Sequence, residues 1–268
     1  MQKMRLNLID EYRGFVVLNM IAYHAIWDLV YMFGVEWQWY KSEVGHVWQQ
    51  WICWSFILIS GFCWKMGKHP LKRGLIVYGA GAVISLATIV VMPSAKVVFG
   101  VLTLLGSCMI LMIPLDLICK KIQPIVGVAT SFFLFLFLYP VNRGYLGFGM
   151  QRIIELPKEW YANSFTTYLG FMEGGFYSTD YFSIIPWLFL FMTGYFLYRV
   201  LFDLHESIRD ENGAMPSGNI QGRSYMIKRL QTSICPILGW IGKRALIIYM
   251  LHQPVIYALL SIWNYLCR

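Results

Sequence analysis

Between residues 10 and 28 the chain places four ionisable side chains at intervals that a helix gathers onto one side. At 3.6 residues per turn, Asp10, Arg13, His24 and Asp28 fall within a sector of about 60°, with Met20 and Tyr31 beside them. The residues between them are mostly apolar (GFVVLNMIAY, 14–23). Placing a charge in hydrocarbon costs at least ~2.5 kcal/mol per residue. A stripe of this kind therefore faces a protein interior, a cavity or a water path rather than lipid. His24 and Asp28 are four apart, close enough along a helix for their side chains to meet. A carboxylate beside an imidazole fixes its tautomer and raises its basicity, as a general base requires. The same pair can equally serve as a buried hydrogen-bonded lock between helices. Asp10 and Arg13, three apart, suit either a functional site or a helix-end ion pair and membrane anchor.

Weaker candidates lie elsewhere. His252 and Gln253 sit in RALIIYMLHQPVIYALL. Pro254 removes a backbone donor and frees the carbonyl of Met250, so these two side chains either satisfy the kink or meet a substrate. His46 and Trp48 fall in the expected first outer loop, where an aromatic interfacial anchor is the simpler reading and a substrate contact the other. Asp180 opens STDYFSIIPW and reads either as the N-cap of the following helix or as a site carboxylate. Lys65, Lys68, Lys72 and Arg73 read as topology charges that could also draw an anionic nucleotide. There is no GxxxxGK[ST], no HExxH, no GxSxG, and no GxGxxG following a strand. The six Cys (53, 63, 108, 119, 235, 267) show no CxxC and no metal-ligand spacing. They read as small core residues, and no metal is expected.

The elements that must hold these residues are membrane helices. The 268 residues are 58% hydrophobic and 13% charged, where a soluble domain carries about 25% charged residues. The apolar residues come in blocks long enough to cross hydrocarbon, about 20 residues each. Spans are expected over about 11–33, 47–65, 73–92, 97–118, 124–140 and 181–202, each good to about four residues. A seventh begins between 233 and 245 and ends near 266. The expected fold is all-α, a polytopic bundle of about seven spans forming one domain over 1–268, with the lipid bilayer as its surroundings. The first span is expected to be retained, since no cleavage site follows it. The net charge of +8 would suggest nucleic acid in a soluble protein. Here it is spread over short loops, which points to membrane orientation and to no nucleic acid.

With the N-terminus in the cytoplasm, 16 of the 22 Lys and Arg fall on inner segments, a positive-inside bias. Residues 203–232 (including DENGAMPSGNIQGRS) are expected to form a mobile cytoplasmic loop. Residues 141–180 mix aromatics with charges and are expected to cover the outer mouth of the bundle. A Cys placed at Ser217, in a background stripped of native Cys, should therefore label from the cytoplasmic side. Labelling from outside alone would reverse the orientation.

Five blocks, in order, carry a family resemblance. They are RLNLIDEYRGFVVLNMIAYHAIWDL (5–29), WSFILISGFCW (54–64), VVFGVLTLLGSCMIL (97–111), STDYFSIIPWLFLFMTGYFLYR (178–199) and LGWIGKRALIIYMLHQP (238–254). Together they resemble the heparan-alpha-glucosaminide N-acetyltransferase-like family; Asp10, the Arg13–Gly14 pair, Met20 and His24 form its opening signature. The Asp–Arg–Gly…His opening is similar, more distantly, to membrane acyltransferases that O-acylate sugars and lipids. The resemblance implies a bacterial cytoplasmic-membrane acyltransferase that moves an acetyl group from cytoplasmic acetyl-CoA to an amino sugar or other sugar acceptor outside. It implies that Arg13, Lys243 and Arg244 meet the CoA phosphates, and that His24, oriented by Asp28, deprotonates the acceptor or carries the acetyl group. Asp180 would help hold the acceptor, with Trp48, His252 and Gln253 as further contacts. The eukaryotic transferase has its proposed catalytic His in the loop after the first matching helix, where His46 is nearest by segment. A homo-oligomer is compatible with the sequence. A transporter or channel for a small anion or sugar would use the same polar face as a pathway, and a purely structural subunit would leave the buried ionisable groups without a purpose.

Overall fold

The computed structural model describes residues 5–206 and 220–266. Its long elements are helices: α1 (Asn7–Tyr31), α2 (Glu43–Phe62), α3 (Pro70–Val91), α4 (Val101–Cys119), α5 (Pro124–Leu138), α7 (Ile184–Glu206) and α10 (Ala245–Leu266). Three shorter helices, α6 (Ser164–Leu169), α8 (Ile220–Gln231) and α9 (Pro236–Lys243), join them. The exception to an all-helical chain is a small antiparallel hairpin of β1 (Tyr145–Phe148) and β2 (Gln151–Glu155). Among the described residues six helices are long and apolar enough to cross a membrane: α1, α3, α4, α5 with the turn after it, α7 and α10. α2, at 20 residues, is long enough, but its first half carries His46, Gln49 and Gln50. The chain is a polytopic helical membrane protein.

The described residues form two compact units, 5–56 with 220–266, and 57–206, the division falling within α2.

In the first unit α1 is the spine. Val16, Val17 and Met20 pack with Ile52 of α2 into a buried core that Trp48, Ile241, Ile248 and Tyr249 surround. α9 runs antiparallel to the N-terminal half of α1 at a separation only glycine permits. A Cβ on Gly14 would stand 2.0 Å from the Leu238 carbonyl oxygen, and one on Gly242 1.8 Å from that of Asp10. No side chain fits at either position without parting the helices. The approach to α9 is pinned as well. Buried Glu11 accepts hydrogen bonds from the Ser233 hydroxyl and from the Ile234 N–H at 3.1 Å, and Asn7 donates to the Gln231 carbonyl at 2.7 Å. Arg244 then breaks the helix, and α10 turns back to run alongside the C-terminal half of α1. Of the range 233–245 expected for the start of the seventh span, the structure takes the end: α9 is a separate short helix, and α10 is long enough to cross.

In the second unit α3 packs on α4 and α5 on α7. Two charges expected to set topology do more local work. Lys65 lies 3.6 Å from Asp116, whose carboxylate also accepts from the Tyr195 hydroxyl. Arg199 of α7 is buried and donates to the carbonyls of Cys119, Ile122 and Lys120 at 2.6, 3.0 and 3.1 Å. It satisfies acceptors that the end of α4 leaves open. Residues 141–180, expected as an interfacial segment, hold the hairpin and α6. α6 opens on a capping box from Asn163 and Thr166.

The stretch 203–232 departs from the expected loop at both ends. α7 continues to Glu206 and α8 begins at Ile220; residues 207–219, with Ser217, lie outside those described. The loop expectation ran too far because the Gly-, Asn- and Ser-rich signal stops near 219. The residues after it (IQGRSYMIKRLQ) include strong helix formers.

Candidate active site

Half-way along the contact between α1 and α10, four side chains from the two helices meet. The rings of His24 and His252 stand 4.8 Å apart between centroids, at 61°. Gln253 Nε2 donates to Asp28 Oδ1 at 2.6 Å, and Asp28 has no exposed surface (0%). A carboxylate can only accept, so the amide must turn its NH2 toward it. The His252 imidazole bonds the Tyr249 carbonyl through Nδ1. A carbonyl likewise only accepts, so Nδ1 carries the proton.

These bonds leave three buried polar atoms without partners among the described residues: Asp28 Oδ2, His252 Nε2 and Gln253 Oε1. All three belong to this one cluster. Buried polar atoms are nearly always paired, and those that are not gather where a protein does chemistry or holds a ligand. Here each is an acceptor, so the group that satisfies them brings donors.

The spacing of His24 and Asp28 along α1 suggested a hydrogen-bonded pair. Among the described residues none joins them. Asp28 is engaged from α10 instead, because Gln253 reaches it across the helix contact. The sequence leaves His252 and Gln253 either to satisfy the carbonyl freed by Pro254, that of Met250, or to meet a substrate. The His252 ring goes to Tyr249, one residue earlier, and Gln253 points to α1. The cluster therefore takes in both sequence candidates from opposite ends of the chain.

The other expected residues are distributed as follows. Arg13 pairs with Asp10 at 3.1 Å on the N-terminal half of α1. Lys243 ends α9, and Arg244 follows it with its guanidinium 4.3 Å from the Trp240 ring centroid. Because Gly242 packs on Asp10, all three cations lie toward the same end of α1. Trp48 is half-buried, donates to Asn19 Oδ1 at 3.2 Å and packs edge-on against Tyr23, so it is part of the core. His46 is exposed in the first turn of α2. Asp180 belongs to the second unit. It caps not α7 but α4, accepting from the Val101 N–H at 3.1 Å.

Two residues of the first unit gave no signal in the sequence. Glu11 stood in a run of ionisable residues where Asp10 and Arg13 took the attention, and its partners come from residues 233–234. Tyr40 is buried in a stretch read as loop, donating to the Tyr23 carbonyl at 3.1 Å.

A family model described as heparan-alpha-glucosaminide N-acetyltransferase, catalytic, matches residues 5–254. The chain belongs to that family. No curated protein and no solved structure gives a match. The heparan-alpha-glucosaminide N-acetyltransferase family is one of transmembrane acetyltransferases, and membership gives this chain that general activity. The matched stretch begins two residues before α1 and ends at Pro254, so it contains the whole four-residue cluster.

Proposed function

We propose that the chain transfers an acetyl group from cytoplasmic acetyl-CoA to a sugar acceptor on the outer side, at the cluster of His24, Asp28, His252 and Gln253. The observation that carries this reading is the set of three unpartnered buried acceptors around a histidine pair, in a chain of an acetyltransferase family. Acetyl transfer requires a group that removes a proton from the acceptor as it attacks the thioester carbonyl. It also requires groups that hold the acceptor in place. A histidine pair beside a carboxylate and an amide supplies both.

The cationic end of α1 supports the donor side. CoA carries its phosphates at one end and its thioester at the other. Arg13, Lys243 and Arg244 lie toward one end of the α1–α10 pair and the histidines further along it. In this reading the N-terminus is cytoplasmic, as the Lys and Arg distribution suggests, and the acceptor arrives from the other side. His24 meets the acetyl group from α1, and Asp28 and Gln253 hold the acceptor.

Purified protein incubated with radiolabelled acetyl-CoA, with and without amino sugars, tests the reading. Acceptor-stimulated loss of thioester with a labelled sugar product is the expected outcome. Uptake of sugar or anion into proteoliposomes with no acetyl transfer would replace it with transport.

A further expected result concerns the donor. Charge-assisted contacts to phosphate are worth ~1.5–3 kcal/mol each. Arg13→Ala and Arg244→Ala should each weaken acetyl-CoA binding by about tenfold to a hundredfold, and added salt should weaken it in the parent protein. Isothermal titration reads this directly. Unchanged affinity in both variants would place the CoA phosphates elsewhere.

A further inference from the structure

We infer that His252, through Nε2, is the general base that takes the proton from the acceptor. This rests on the transfer reading above and assigns one step within it.

The argument starts from tautomers. Neutral imidazole has one N–H and one lone pair, and the hydrogen bond made by one nitrogen decides which is which. His252 donates its Nδ1 proton to the Tyr249 carbonyl, an acceptor fixed in the backbone of its own helix. Nε2 therefore keeps the lone pair, and that atom is buried with no partner among the described residues. It is a proton acceptor held ready in a known direction.

His24 has no such device. Among the described residues its ring makes aromatic contacts with Tyr23 and His252 but no hydrogen bond that selects a tautomer. Asp28, expected from the sequence to orient it, is engaged by Gln253. The orienting bond that triad-type sites give to their base falls here on His252. His24 then faces the acetyl group.

The neighbours of Nε2 fit the same step. Gln253 Oε1 and Asp28 Oδ2 are the other two unpartnered acceptors, linked to each other through the Gln253–Asp28 bond. An acceptor amine gives one N–H to Nε2 and its second to one of these oxygens; an acceptor hydroxyl gives its O–H to Nε2, and a neighbouring hydroxyl of the same sugar meets the oxygens. As the acceptor atom bonds to the thioester carbonyl carbon, its proton passes to Nε2. The carbon–sulfur bond breaks, CoA leaves as thiolate, and Nε2–H returns the proton to sulfur. Nothing else is consumed, and His252 ends in its starting tautomer.

His252→Gln tests this, because a glutamine amide can still donate to the Tyr249 carbonyl but has no basic nitrogen. We expect its kcat to fall by about 10²- to 10⁴-fold, with acetyl-CoA affinity and detergent melting near the parent's. In His252→Ala, added imidazole should restore part of the turnover, which a purely structural side chain would not allow. Turnover of His252→Gln within a factor of two of the parent overturns the assignment. So does a loss confined to acetyl-CoA affinity, or an absence of imidazole rescue in folded His252→Ala. A readout independent of turnover is nitrogen-15 NMR of labelled histidine in the parent protein, with His252→Gln identifying the signal. Protonated Nδ1 and bare Nε2 are expected; the reverse tautomer overturns the assignment. If the parent transfers no acetyl group to any acceptor, the functional reading fails, whereas the tautomer can still be read.

Discussion

His24→Ala is expected to lower acetyl transfer by about 10²- to 10³-fold, the loss of one group that stabilises the reacting acetyl carbonyl, while leaving a folded protein that binds acetyl-CoA with near-parent affinity. The expectation rests on what His24 does not do. Its ring meets His252 at 4.8 Å and Tyr23 at 5.9 Å, but no hydrogen bond among the described residues ties it to the fold. Its removal strands no buried partner, so the stability cost is that of lost packing. A structural His24 would give the opposite pattern: poor expression or early melting, with normal specific activity in the surviving protein. Asp28→Asn makes a useful companion, since Asn can still accept from Gln253. It should lower turnover less than His24→Ala, by disturbing how the acceptor is held. Turnover in His24→Ala within a factor of two of the parent would remove His24 from the mechanism and turn attention to His46.

The largest effect on stability is expected at Arg199. Arg199→Ala removes three hydrogen bonds to the carbonyls of Cys119, Lys120 and Ile122. Hydrogen bonds from a charged donor contribute ~1.5–3 kcal/mol each. The guanidinium fork also explains why lysine is a poor substitute. One ammonium on a flexible stem does not present several fixed donors to acceptors that face it from different residues. Arg199→Lys should therefore lie between parent and Ala. Thermal unfolding in detergent reads the series, and Arg199→Ala melting within about 2 °C of the parent would refute it. Arg199 belongs to the second unit and the proposed transfer site to the first. The specific activity of the protein that remains folded should accordingly change little.

The helices were legible because their apolar blocks are long and their ends are marked by Pro70, Pro93 and Pro124. The polar face of α1 was legible because helical periodicity gathers Asp10, Arg13, His24 and Asp28 whatever they pack against. The partner of Asp28 was not. It lies 225 positions away on α10, and local spacing offered His24 instead. The same limit hid the cap role of Arg199 and the Lys65–Asp116–Tyr195 group. Charge counts at span ends cannot separate a solvated lysine from one that meets a carboxylate. The break at Arg244 went unplaced because Gly242, which marks it, is also what α9 needs to approach α1. His252 and Gln253 were legible through the proline beside them, as groups for either the kink or a substrate; that Gln253 reaches Asp28 on another helix was not.

The helical turns of α10 have a consequence for which donors the chain can use. Arg244 and His252 are eight positions apart, a rise of about 12 Å along an unbroken helix. The Ile248 N–H bonds the Arg244 carbonyl at 3.1 Å, so α10 takes up its first turn directly from Arg244. α10 is in effect a gauge. In the proposed reading a donor gripped at the arginine would deliver its thioester at a set height, and one with a longer or shorter arm would arrive out of register with the imidazole. Inserting a single residue between positions 244 and 252 would turn His252 by about 100° and lift it by about 1.5 Å. Every side chain of the cluster would survive, but the chain would be measuring a different molecule.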